Sequence, residues 1–152
     1  MNIWNKYLDW PPVWLFIFMT VAWVQAQIWN PMAYETGFTT WIGRGAIVFG
    51  IALMGVSFVM FQKHRTSMVP KRTPKSIITS GPYKYSRNPI YVADAIVLIG
   101  YILTLGSVVS FLLAPAFVWL IRARFINGEE AGIRTEFRQA YEDYCLQTRR
   151  WI

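Results

Sequence analysis

The chain has a single cysteine, Cys145, and a single histidine, His64, in 152 residues. One thiol excludes an internal disulfide and any cysteine-based metal cluster, and one histidine cannot hold a metal alone. Charge is scarce as well: only 15% of residues are charged, with 8 acids against 15 Lys and Arg. With 55% hydrophobic residues, the chain is too apolar for an ordinary soluble domain of this size. The net charge of +7 raises the question of nucleic acid. However, the cations follow topology rather than gathering on one polar face. Residues 62–89 hold Lys63, Arg65, Lys71, Arg72, Lys75, Lys84 and Arg87, whereas Asn30 to Trp41 carries Glu35 and Arg-free sequence. Basic loops beside apolar runs orient a protein in a membrane or meet anionic lipid, so no nucleic-acid partner is expected.

The apolar residues fall in four blocks, at about 11–29, 42–61, 90–105 and 108–125. About 20 residues cross a bilayer, and lipid offers the backbone no hydrogen-bond partner, so each block predicts a helix. The expected fold is an all-α, polytopic membrane bundle of four transmembrane helices, a single domain over 1–152, closed by a C-terminal amphipathic cytoplasmic helix. The first block has some features of a signal peptide, with Lys6 before it and Val24-Gln25-Ala26 near its end. Its length and its bulky Trp14, Trp23 and Trp29 favour a retained helix. The positive-inside rule places both termini and the 62–89 loop in the cytoplasm. Residues 1–10, with Trp4, Tyr7 and Trp10, suit the headgroup layer. Gln25 and Gln27 are expected to bond a neighbouring helix or interfacial water, and Ala46 with Gly50 offers a small face for close helix packing. Arg44 can snorkel. Gly106-Ser107 forces the third and fourth spans to be antiparallel neighbours, and Pro115 predicts a kink in the fourth. His64, among cations, reads as mainly structural.

The stretch Ser80-Gly81-Pro82-Tyr83-Lys84-Tyr85-Ser86-Arg87-Asn88-Pro89-Ile90-Tyr91 runs from a polar, basic loop into the third span. Gly81-Pro82 and Asn88-Pro89 are turn signals, so the loop is shaped. Asn88 is placed to cap the helix, with Pro89 in its first position. Asp94 lies about one turn inside that span. An ionisable group at such depth needs a partner or a role, and the two accounts are pairing with Arg122 or Arg124 or facing a pocket beside Tyr91. Beyond the fourth span, Asn127-Gly128-Glu129-Glu130 opens the tail. Asn127 can cap it, both acids suit its positive end, and Glu130 can pair with Arg134. Alternatively one acid faces inward while the other stays in solvent. Ile133, Phe137, Tyr141 and Tyr144 or Cys145 form one apolar stripe, with Arg134, Arg138, Glu142 and Asp143 elsewhere.

Gly81-Pro82-Tyr83, Arg87-Asn88-Pro89-Ile90-Tyr91 and Glu129-Glu130, followed by Phe137, Tyr141 and Tyr144, resemble the isoprenylcysteine carboxyl methyltransferase and phospholipid methyltransferase superfamily of integral membrane enzymes. The resemblance covers roughly 63–152, with cytoplasmic catalytic elements at 63–91 and 122–152. It implies S-adenosylmethionine as methyl donor and a lipid-like or prenylated acceptor, most simply a carboxylate, at the cytoplasmic face. It also implies that Tyr83, Asn88, Pro89, Ile90, Tyr91 and Glu129 line the cofactor pocket, with Ile78 in the segment leading to the Gly-Pro-Tyr turn. On the chemistry of the residues, Arg87 can grip a carboxylate, Glu129 or Glu130 can accept from ribose or ammonium, and Tyr83 and Tyr91 can stack on adenine or face a sulfonium. Arg87, Asp94 and Arg124 are the candidate catalytic residues. Asp94 would serve as base for an amine or thiol acceptor, and Arg124, with Arg122, would hold an anionic head group. Where the family has His, this chain has Asn88; where it has Phe-Gly, this chain has Phe137-Arg138; Ile133 replaces Leu. The other readings are a membrane sterol or steroid-type reductase using a nicotinamide cofactor, and a non-catalytic scaffold. The methyltransferase reading requires that the mouths of the third and fourth spans converge around one cavity large enough for a nucleoside.

Overall fold

A computed structural model describes residues 10–34, 37–63 and 77–152. The surface segment before Trp10, His64 and the basic run through Lys75 lie outside the described residues. Helix α1 spans Pro11–Ile28; its two prolines occupy the first helical positions, where no N–H is needed. Helix α2 spans Gly37–Lys63, longer at both ends than the apolar block that predicted it, with Lys63 on the negative end of its dipole. Helix α3 spans Pro89–Leu105, 17 residues, and stops at Gly106, whose φ of 64° is the left-handed turn that glycine adopts without strain. A 3-10 turn at Val109–Leu112 leads into α4, Leu113–Ile121. A π turn at Arg122–Ile126 then passes directly into α5, Asn127–Gln147. Among the described residues there is no strand, only an isolated bridge between Ala33 and Ser107. Three helical stretches are long and apolar enough to cross a membrane, Pro11–Ile28, Gly37–Lys63 and Val109–Gln147, and α3 is apolar but shorter.

The fourth apolar block therefore runs on into the tail without a break as far as Phe137. Asn127 does not cap a new helix, because Ile126 before it is already helical (φ −57°, ψ −45°). Pro115 makes no kink either, since it falls in the first turn of α4, where a missing N–H disturbs little. The irregularities lie elsewhere, in the π turn and at Arg138, whose φ of 42° and ψ of −114° break the helix within α5.

Helices α2 and α3 approach backbone to backbone. A Cβ added to Gly43 would lie 2.5 Å from the Gly100 carbonyl oxygen, and one on Gly100 would lie 2.7 Å from that of Gly43. A Cβ on Gly50 would likewise lie 2.7 Å from the Val97 side chain, and one on Gly100 would lie 3.0 Å from Ala46 Cβ. The small face read from Ala46 and Gly50 thus packs on α3, and Gly45 and Gly55 have nothing within 4 Å. Leu15 and Ala22 of α1 pack with Leu98 and Ile102 of α3 and with Phe117, Ile121, Phe125 and Ile126. Phe18 meets Phe117 edge-on, with centroids 5.3 Å apart.

At one end of this bundle the Gln25 carbonyl oxygen accepts hydrogen bonds from the hydroxyls of Ser107, at 3.1 Å, and Ser110. The Tyr34 N–H there donates to the Gly106 carbonyl at 3.1 Å. The loops at 29–34 and 106–108 are thereby tied together, and the turn at 81–88 lies at the opposite end with α5.

Candidate functional site

Gly81-Pro82-Tyr83-Lys84 forms a 3-10 turn whose first residue has φ 60°. A side chain at Gly81 would be strained, and its Cβ would lie 3.0 Å from Met60. The turn buries Tyr83 edge-on against Phe61 of α2, with centroids 5.7 Å apart. The Tyr83 carbonyl accepts the Tyr144 hydroxyl at 2.5 Å, which fastens α5 to the turn. Burial, then the neighbouring Tyr144 and Glu129, pushes the Tyr83 phenol far above its ordinary range, and burial pushes Tyr144 up to about 12. Both phenols are neutral donors at physiological pH.

Asn88 occupies the cap position of α3 without capping it. Its amide instead donates to Glu130 Oε1 at 3.3 Å and to the Arg150 carbonyl at 3.2 Å. Glu130 is 4% exposed, and its carboxylate is saturated. Arg150 donates Nε to Oε1 at 3.1 Å and Nη2 to Oε2 at 2.6 Å, while Arg87 Nη2 approaches Oε1 at 3.6 Å. The expected pairing of Glu130 with Arg134 does not form; Arg134 pairs with Glu142. Neither acid is left in solvent, because Glu129 also faces inward and accepts the Tyr91 hydroxyl at 2.9 Å. Burial, the largest cause, raises the Glu129 pKa above the ordinary carboxylate range, and the Tyr91 hydrogen bond acts in the opposite direction.

The structure thus brings Tyr83, Arg87, Asn88, Tyr91, Glu129 and Glu130 to one end of the bundle, with Pro89 buried and Ile90 half-buried in the first turn of α3. Ile78 is buried in the extended approach to that turn. Two predicted residues stand apart. Arg124 lies 5.5 Å above the Trp14 ring of α1, and Asp94 is 2% exposed, one turn deeper in α3. Among the described residues Asp94 pairs with neither Arg122 nor Arg124, and its Oδ2 has no hydrogen-bond partner. The two motifs converge as expected, but they meet by direct contact, so the nucleoside-sized cavity expected between them is not formed among the described residues. Grooves of about 270 and 310 Å³ lie elsewhere, one beside Phe16, Trp23 and Tyr101 and one beside Trp119, Arg122 and Asn127.

Two buried polar atoms at the meeting point lack hydrogen-bond partners among the described residues: Arg87 Nε and the Tyr141 hydroxyl. The Arg87 guanidinium lies 6.0 Å from the Tyr141 ring. Arg150 was missed by sequence reasoning. Its place in Arg149-Arg150-Trp151 reads as a membrane anchor, and its pairing depends on the chain turning back after Thr148.

A buried Arg/Glu/Tyr cluster thus lies at one end of an apolar helical bundle in which three helical stretches are long and apolar enough to cross a membrane, the build of a membrane protein. The phospholipid methyltransferase family matches residues 38–140, and the chain belongs to it. Protein-S-isoprenylcysteine O-methyltransferase of Schizosaccharomyces pombe is 37% identical over 68 residues, covering 45% of this chain and 29% of that protein. The match thus spans under a third of that relative. No solved structure matches.

Proposed function

We propose that the protein is an S-adenosylmethionine-dependent methyltransferase acting on a lipid-like acceptor. In this reading four helices span the membrane, both termini and the site lie on the cytoplasmic face, and the surrounding bilayer supplies the substrate. The observation that carries it is the Tyr91–Glu129 hydrogen bond next to the Arg87–Glu130 ion pair, beside buried Arg87 Nε and Tyr141 hydroxyl groups that no described residue satisfies. Unsatisfied buried donors are costly, and a ligand with anionic and polar edges suits them.

When bound, S-adenosylmethionine supplies an electrophilic methyl group. Arg87 would hold its carboxylate, Glu129 would accept from its hydroxyl or ammonium donors, and Tyr83, Asn88 and Tyr91 would line the remainder, with Ile78, Pro89 and Ile90 closing the apolar side. Glu130 contributes through the groups that it fixes. Methyl transfer is an in-line displacement, so positioning in a site shielded from water accounts for most of the expected acceleration. A carboxylate acceptor is already nucleophilic and needs no base; an amine or thiol would give its proton to Asp94. Arg124, beside Trp14, would hold an anionic head group at the interface.

Calorimetric titration of the detergent-purified protein with S-adenosylmethionine tests the proposal. Binding is expected for the wild type and is weakened by Glu129→Ala and by Tyr91→Phe. A wild-type protein that takes up no cofactor, and transfers no labelled methyl to extracted lipids, rejects it.

A further inference from the structure

After α5 the backbone becomes extended at Thr148 (φ −131°, ψ 131°), and the chain turns back over the 81–88 turn. Its attachment is dense. The Thr148 hydroxyl donates to the Lys84 carbonyl at 3.3 Å, and the Arg87 N–H donates to the Arg149 carbonyl at 2.9 Å. The Arg150 carbonyl accepts the Ser86 hydroxyl and the Asn88 amide, each at 3.2 Å. The Arg150 side chain then completes the clasp through both oxygens of Glu130.

We infer that Arg150 is a positioning residue. Its guanidinium takes Glu130 out of ligand chemistry and makes that acid the fixed point from which Arg87 and Asn88 hang, leaving Glu129 as the acid that meets the ligand. The inference rests on the cofactor reading above for its functional meaning. Its physical basis is the count of partners. Glu130 has a bidentate guanidinium, a second cation and an amide donor, which leaves it little capacity for a bound molecule. Among the described residues Glu129 has one hydrogen-bond donor, the Tyr91 hydroxyl. A carboxylate with a bidentate arginine is held in orientation as well as in charge, so it can transmit order to the residues on its other edge. Both residues matching the Glu-Glu motif are therefore required, but for different reasons.

The test uses the full chain in detergent with Arg150→Ala, Arg150→Lys and Glu130→Gln. Arg150→Ala keeps the carbonyl that Ser86 and Asn88 use, so it isolates the ion pair. The first readout needs no ligand: hydrogen exchange of peptides spanning Gly81–Tyr91. Exchange there should rise in Arg150→Ala and rise less in Arg150→Lys. The second readout is S-adenosylmethionine affinity, which should weaken about tenfold in Arg150→Ala, as expected when binding groups lose their placement. Arg150→Ala and Glu130→Gln should be non-additive with each other, whereas Arg150→Ala and Glu129→Gln should add. Unchanged exchange in 81–91 with an intact unfolding transition overturns the inference. So does additivity between Arg150→Ala and Glu130→Gln. If wild type binds no cofactor, the functional reading fails while the exchange readout still decides the clasp.

Discussion

The Arg138 backbone has φ 42° and ψ −114°, a region that side chains other than glycine rarely enter. Such strain costs on the order of 1–3 kcal/mol. Glycine would lose about 1 kcal/mol through its greater freedom in the unfolded chain, so the strain term wins. Arg138→Gly is expected to stabilise the protein by about 1 kcal/mol, read as a higher midpoint of thermal unfolding in detergent. Glu129 carries the pH dependence expected of the site. Its folded pKa is raised chiefly by burial, so the neutral acid persists to higher pH than in an ordinary carboxyl. Affinity that needs the carboxylate is full above that raised value and declines as pH falls through it. Calorimetry across pH should show this acidic limb in wild type and its loss, at lower affinity, in Glu129→Gln. At this scale the sequence was readable where side-chain chemistry decides: Tyr91 and Glu129 were singled out from two separate motifs, and the structure brings them into one hydrogen bond. It was unreadable where a contact depends on a distant return of the chain, as for Arg150. Asn88 was misassigned as a cap because a cap and a cross-chain donor use the same amide.

Among the elements, the α2–α3 contact is set by glycine rather than by side-chain size. The prediction turns on sign. Gly100→Ala places a methyl within 2.7 Å of a backbone oxygen and should destabilise by about 1–3 kcal/mol, as overpacking does. Gly45→Ala, with nothing within 4 Å, should stabilise by about 0.5–1 kcal/mol through helix propensity alone. Unfolding of the two variants in the same detergent checks both. The Ala46/Gly50 spacing was enough to find this face, since small residues recurring on one side of an apolar helix have little other use there. The unbroken passage from α4 into α5 was not foreseen, because Asn-Gly-Glu-Glu looks locally like a helix start. A π turn, which needs one extra residue per turn and no special composition, carries the helix straight through it.

Taken whole, the molecule has a polar site at one end and a serine-glutamine tie at the other. In the orientation proposed above, Leu146 and Val108, both exposed, fall on opposite faces of the membrane. In a Cys145→Ser background, Leu146→Cys should react with an impermeant maleimide only from the cytoplasmic side, and Val108→Cys only from the other. Labelling of both from one side rejects the topology.

Helix α3 has 17 residues, and at about 1.5 Å per residue it reaches about 26 Å, less than the roughly 30 Å of a typical hydrocarbon layer. Anchored through Gly43 and Gly100 to a longer neighbour, it cannot slide to compensate. In the proposed topology the bilayer would dimple at that mouth, so that an acyl or prenyl chain meets the Arg87 entrance without rising fully into water. Reconstitution in lipids of increasing chain length should consequently slow turnover as the membrane thickens, with cofactor affinity unchanged.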